Sequence, residues 1–485
     1  MDLEKRARMQ SIRVVISEIL MFLTVVVMVF VLGFVVSGYW VGTDFKVERQ
    51  GMLQISSSPS GADVIVDGET SWMQRTNTSK ILSSGQHNIT LTKEGYDSWS
   101  KDITIKEGLL YRLYYPRLFL NEREKEEVYD ITSTNFATIS PNHNLLLLAN
   151  NTSTWSLLKL NSDKVEAETL DVSKVFSAVS IAEDATSGLF DGQVVSANWS
   201  LDNEHILIEV STKNAREWAI LNVKNIQNSV NITREFNTDF SMIKIFDNSA
   251  SNLLAIKDGN LHRIDLANKQ ISAVLVSNVY YFDFYDQEIV FSSKYDDASI
   301  ELVSAHLDSE DESTPVENVY YVGLKKINDA NYLTVTTTAQ PAHPVVGRFY
   351  DQDFVAVLCG DKIGIYEKPD FKLVLDNQLD FVPTSIKIGH VGDFITMSAG
   401  GRIVTLDMED MSTTAWSTET DKYGWLDGNM IYAVKDGSLT VYDYDGLNAR
   451  TLSSNVSSKF PAVITENKWL YYISDEQLVR ETIVK

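Results

Sequence analysis

Cysteine is all but missing from this chain. A single Cys359 among 485 residues cannot form an internal disulfide, which excludes a stapled scaffold and leaves ordinary burial to hold the fold. Cys359 closes the apolar run 354–359, a strand pattern, and reads as a small core residue rather than a nucleophile. Basic residues are also short: 42 Lys and Arg face 66 Asp and Glu, a formal net charge of -24. No basic stripe exists to neutralise phosphates, so nucleic acid and anionic lipid surfaces are poor partners. Such a surface suits divalent cations or basic partners, or simply keeps the chain soluble.

Signs of catalysis are missing too. The histidines, His87, His143, His205, His262, His306, His343 and His390, show no metal-ligand spacing and have no cysteine pair to join. Phosphate loops, nucleophile elbows and dinucleotide fingerprints do not occur. No catalytic, cofactor-binding or metal-ligating residue is nominated. Asp308-Ser-Glu310-Asp311-Glu312 is the densest acidic cluster, suited to a cation or to a solvated outer loop. Tyr280, Tyr281, Phe282, Phe284 and Tyr285 suit either a sugar-stacking platform or packing between sheets.

What the chain does possess is one long oily stretch, residues 19–36, uncharged and with Thr24 as its sole polar side chain. At about 1.5 Å rise per residue it spans the hydrocarbon core of a bilayer as a helix. Tyr39 and Trp40 follow at the far edge, where amphipathic rings favour headgroups. Lys5, Arg6, Arg8 and Arg13 outnumber Asp2, Glu4 and Glu18 on the near side. That bias predicts a cytoplasmic tail over 1–13, a signal-anchor helix over 14–40 and an exported remainder. A cleaved signal peptide is the alternative, although its apolar region is usually only about 7 to 15 residues.

After a polar linker, 41–50, the segment 51–116 reads as a small β-domain. Strand patterns at 52–56, 63–67, 87–93 and 99–105 alternate with turns at Pro59-Ser-Gly61, Asp67-Gly68, Gly85 and Gly95-Tyr96. Gly51-x-Leu53-x-Ile55, Pro59-Ser-Gly61-Ala62, Val66-Asp67-Gly68, Gly85-x-His87-x-Ile89 and Gly95-Tyr96-x-x-Trp99 together resemble the PEGA domain. The resemblance implies a β-sandwich of prokaryotic envelope proteins, without catalytic residues and used for structure or interaction. Its marked positions, Pro59, Gly61, Ala62, Asp67, Gly68, Gly85, Gly95 and Tyr96, are then structural. Two turns depart from the family pattern: a longer polar stretch at 70–78, and Ser84-Gly85 in place of Pro-Gly.

A charged joint at 117–127 leads into 128–485, where short strands recur. Units around Asp258-Gly259, Gly360-Asp361, Gly400-Gly401 and Asp436-Gly437 share a strand–turn–strand form. Where clean, their spacing of roughly 40 to 50 residues is that of four-stranded propeller blades. The Asp-Gly pairs are hairpin formers rather than calcium loops, which need carboxylates at alternate positions. Trp199-Ser200-Leu-Asp202 and the weaker Ile139-Ser140-Pro141-Asn142 resemble the turn of TolB-like propellers, marking Trp199, Ser200 and Asp202 as structural. Seven units are clear and an eighth is open, since 320–348 does not phase cleanly; 128–132 is expected to supply the outer strand of the last blade and close the ring.

The expectation is a mostly β protein: a transmembrane helix, a PEGA β-sandwich, then a seven- or eight-bladed β-propeller. Its expected place is the cell membrane, single-pass, with the bulk extracytoplasmic, and its expected role is binding or scaffolding. The expected partners are the membrane and an unidentified envelope protein or glycan; no nucleic acid and no cofactor are expected. The alternative is an exported polysaccharide hydrolase or lyase using funnel carboxylates. A signalling role fits poorly with so short a cytoplasmic tail.

Overall fold

A computed structural model describes residues 2–36, 39–41, 47–131, 133–160, 164–176, 192–211, 216–247, 249–295, 319–389 and 393–485. The acidic cluster at 308–312 lies outside them. The chain divides into two compact units, Met1–Arg123 with Val484–Lys485, and Glu124–Ile483.

The first unit begins with helix α1, Asp2–Val36. Its most apolar part, Ile16–Gly33, has none of its residues buried in protein. Eighteen residues rise about 27 Å, close to the thickness of a bilayer core. Thr24 Oγ1 donates to the Leu20 carbonyl at 2.8 Å, so the one hydroxyl of the stretch is satisfied within the helix. The helix ends before Tyr39–Val41, which pairs as a strand with Val47–Ile55. The expected anchor and linker boundaries therefore shift: 39–41 and 47–50 belong to a sheet. The side chains of Arg13, Tyr39 and Trp40 lie outside the described residues.

The following domain is two four-stranded sheets. One runs Glu69–Arg75, Asp63–Val66, Gly85–Thr92, Trp99–Ile105; the other joins Tyr39–Val41, Val47–Ile55 and Thr78–Ser83, with Leu110–Leu113 parallel to Val47–Ile55. Alternate residues face inward, as the two-residue period of strands requires. Leu53, Ile55, Val64, Ile89, Leu91, Trp99 and Ile105 form this core. The stretch read as a long polar turn at 70–78 is largely strand. Glu69–Arg75 completes one sheet, Asn77 turns at φ 72°, and Thr78–Ser83 enters the other.

The second unit holds eight four-stranded antiparallel sheets among the described residues, numbered here as blades 1–8 in chain order. Their first strands are Thr134–Ile139, Gln193–Trp199, Met242–Ile245, Val279–Tyr285, His343–Phe349, Ser385–Ile388, Tyr423–Trp425 and Val463–Thr465. Shared apolar clusters join blades 1 through 6 in succession. Phe394 stacks on Tyr444 at 3.8 Å between blades 6 and 7, and Ser453 Oγ donates to the Tyr472 hydroxyl between blades 7 and 8. Blade 8 shares a core with blade 1 through Tyr471, Leu478, Leu146 and Leu158. The sheets thus form a closed ring, a β-propeller, with eight blades among the described residues.

Blade 8 is built from both ends of the unit. Lys125–Asp130 pairs with Gln477–Thr482, so the joint expected over 117–127 gives up its last three residues to the propeller. Arg480 Nη2 donates to Glu126 Oε2 at 2.6 Å across this seam. Blade 4 explains the stretch that would not phase. Its second and third strands, Glu288–Lys294 and Tyr320–Lys326, are separated by an insertion. Leu333–Thr338 is its outer strand, and Pro344 stands in the first strand of blade 5.

Candidate functional site

In the PEGA-like domain the marked residues form turns. Asp67 and Gly68 have φ 54° and 78°, the two positive angles a type I′ hairpin demands. Gly61, Gly85 and Gly95 also take positive φ, Pro59 follows a cis peptide bond, and Ala62 is buried. Tyr96 accepts from the Lys485 amide at 3.1 Å. One arrangement was not anticipated. His87 Nδ1 lies 2.7 Å from Asp67 Oδ2, while the Asn88 amide donates to Asp67 Oδ1 at 2.8 Å. The hydrogen bonds from His87 and Asn88 hold the Asp67 carboxyl below its ordinary range.

In the propeller, the Ser200 turn links the first strand of blade 2 to the second. Asp202 Oδ1 accepts from the amides of Glu204 and His205 at 2.7 and 3.1 Å, and Asp202 Oδ2 lies 2.6 Å from His205 Nδ1. Burial opposes ionisation of Asp202, but these bonds outweigh it and hold the carboxyl below its usual range. Trp199 is half-buried against the blade 1–2 core. Blade 1 repeats the turn, with Ser140 Oγ accepting from Leu145 at 3.0 Å and donating to Asn142. These are structural turns and form no site.

The chemistry gathers instead where first strands of successive blades meet. Of all residues on the eight first strands, Lys244, Asp283, Arg348 and Lys387 alone carry a charge besides histidine. All four line one cleft of about 520 Å³ at blades 3–6, together with Tyr285, Val345, Ile386 and Ile388. That volume is in the range of small-ligand sites. The lining carries three cations and one carboxylate; with Asp353 paired to Arg348 from beside the cleft, a single positive charge is left over, opposite in sign to the acidic chain. Lys244 Nζ pairs with Asp283 at 3.0 Å between blades 3 and 4. Arg348 directs its Nε to Asp353 Oδ1 at 2.5 Å, and this bond keeps Asp353 ionised below the usual carboxylate range.

Sequence reasoning missed these four residues because a charge in a four-residue strand such as Ser385–Ile388 looks like any solvent-facing position. It did single out the aromatic run, which the structure divides. Phe282 is buried between blades, Phe284 packs on Phe246 at 5.3 Å and Tyr281 lies on His343 at 3.6 Å. Tyr280 meets Tyr320 edge-on. Tyr285 reaches the cleft, with Arg348 over its ring at 5.7 Å. Inter-blade packing accounts for most of the run.

Residues 50–117 match the PEGA domain family, so this segment is a PEGA domain; the match covers a domain and not the chain. No curated protein matches. Among solved structures, dihydro-heme d1 dehydrogenase NirN in complex with DHE is similar at 12% identity and a TM-score of 0.40, over 65% of each chain. This chain therefore covers slightly less than two thirds of that structure's length.

Proposed function

We propose that the protein is a single-pass membrane protein of the prokaryotic cell envelope that binds a partner outside the cytoplasm through its propeller. The observation that carries this is the wholly unburied apolar span Ile16–Gly33 in a chain that also holds a PEGA domain. A surface of that size finds no partner among the described residues of its own chain, and a bilayer is the solvent that suits it. The basic bias before the span orients the N-terminus to the cytoplasm. The propeller is of the TolB-like kind, supported by its two Ser-centred turns, and it acts as the binding module toward an envelope protein or glycan.

Protease added to intact cells, or to spheroplasts where an outer membrane intervenes, is expected to degrade the propeller. Survival of the propeller under conditions that digest known surface proteins overturns the placement. Mass measurement of the mature chain separates a retained anchor from a cleaved signal. Crosslinking on intact cells followed by capture is expected to recover one dominant envelope component, and turnover of a glycan library would instead establish an enzyme.

A further inference from the structure

We infer that the cleft at blades 3–6 binds the oxyanion, carboxylate or phosphate, of a small ligand, with Arg348 and Lys387 as its two donors. The inference rests on the propeller being the binding module, and is independent of where the protein resides. Arg348 spends only its Nε on Asp353. Its two terminal nitrogens make no hydrogen bond among the described residues, and the side chain is 50% exposed. A planar guanidinium fork with free terminal donors matches a carboxylate or phosphate edge. Lys387 is exposed and its ammonium has no carboxylate partner among the described residues. It lies at the border of this cleft and of a neighbouring one of about 340 Å³ between blades 6 and 7.

The two cations reach one cleft because the strands carrying them lie unusually close. A Cβ built at Gly347 would stand 2.8 Å from Ile388 Cδ1 and 3.0 Å from Phe354 Cζ. Glycine removes that obstacle, and the residues next to the contact on either strand are Arg348 and Lys387. A chain of net charge -24 repels anions at long range, so the charge of Lys387, unpaired among the described residues, and the terminal donors of Arg348 supply the local attraction an anion needs here. Val345, Ile386 and Ile388 line the same wall and offer apolar surface to the ligand's body. The volume suits a single small molecule rather than a polymer.

The test uses the full chain in detergent and titration calorimetry at fixed ionic strength, with glucuronate, glucose 6-phosphate and neutral glucose as probes. At least one anion is expected to bind while glucose does not, and the anion that binds distinguishes a carboxylate source from a phosphate source. Lys387→Gln, which breaks no ion pair, is expected to weaken binding about tenfold, as loss of one charge-assisted hydrogen bond would. Arg348→Gln is expected to weaken it at least as much, and Arg348→Lys to restore part of the affinity. Equal binding of glucose and the anions overturns the inference. So does failure of both anions, or binding that Lys387→Gln leaves unchanged. Loss of anion binding with intact surface display and partner capture would sink this inference alone.

Discussion

The backbone amide of Asn142 donates to the side-chain oxygen of Asn203 at 3.0 Å. The two residues occupy equivalent turns in blades 1 and 2, 61 positions apart. His143, next to Asn142, places Nδ1 3.0 Å from the Ile464 carbonyl in blade 8. One rim of the ring is therefore laced from blade 8 through blade 1 to blade 2 by turns that looked purely local in the sequence.

Asn203 also takes φ 58°, a region that asparagine and glycine tolerate better than other residues. Asn203→Gly should lose the inter-blade bond and the exposed bond from Asn203 Nδ2 to the Leu201 carbonyl, together about 1 to 2 kcal/mol. Asn203→Ala should lose roughly 1 kcal/mol more, because alanine resists the left-handed backbone. Thermal unfolding of the two variants checks this. A variant pair with equal midpoints would show that backbone angle does not matter at this turn.

Asp67 in the PEGA domain supplies a pH test. Its folded-state pKa is depressed below the ordinary 3.8. The stabilisation is therefore complete above that value and fades as pH falls through the lower folded-state pKa. Amide exchange of Asn88, corrected for intrinsic rates, should show protection that weakens on acidification in the native chain. Asp67→Asn should lower protection at neutral pH and flatten the acid dependence. An unchanged acid profile in the variant would place the linkage elsewhere.

Glu481 is fully buried in blade 8, with Oε2 accepting from the Tyr472 hydroxyl at 2.9 Å and Lys125 Nζ 3.7 Å away. Tyr472→Phe should cost about 1 to 3 kcal/mol, because it strips a donor from a buried carboxylate. Adding Glu481→Met should recover part of that loss, since it removes the buried carboxylate and the cation it leaves, Lys125, is about half exposed to water. A double-mutant cycle followed by thermal unfolding measures the coupling. Strict additivity of the two substitutions would mean the contact carries no energy of its own.

Particular residues show what could be read beforehand. Asp258-Gly259 and Asp436-Gly437 close two-residue hairpins with positive φ at both positions, and sequence alone announces that geometry. Blade 2 ends in a two-residue strand, Val230–Asn231, too short for any periodicity to register. Blade 4 was obscured by chain inserted between paired strands. Lys387 and Arg348 could not be matched at all, because their neighbourhood depends on how two blades approach at Gly347, and such a contact leaves no trace in spacing along one strand.

The seam of blade 8 sets an order of events. Glu126 meets Arg480 across 354 positions, and at about 5 to 20 residues per second its partner is synthesised roughly 20 to 70 s later. Throughout that wait the Lys125–Asp130 segment is an orphan edge, the kind of segment that invites aggregation. Lys125, Glu126, Glu127 and Asp130 give it charged, well-hydrated side chains, which disfavour edge-to-edge pairing with another chain while this strand of the propeller waits for its partner.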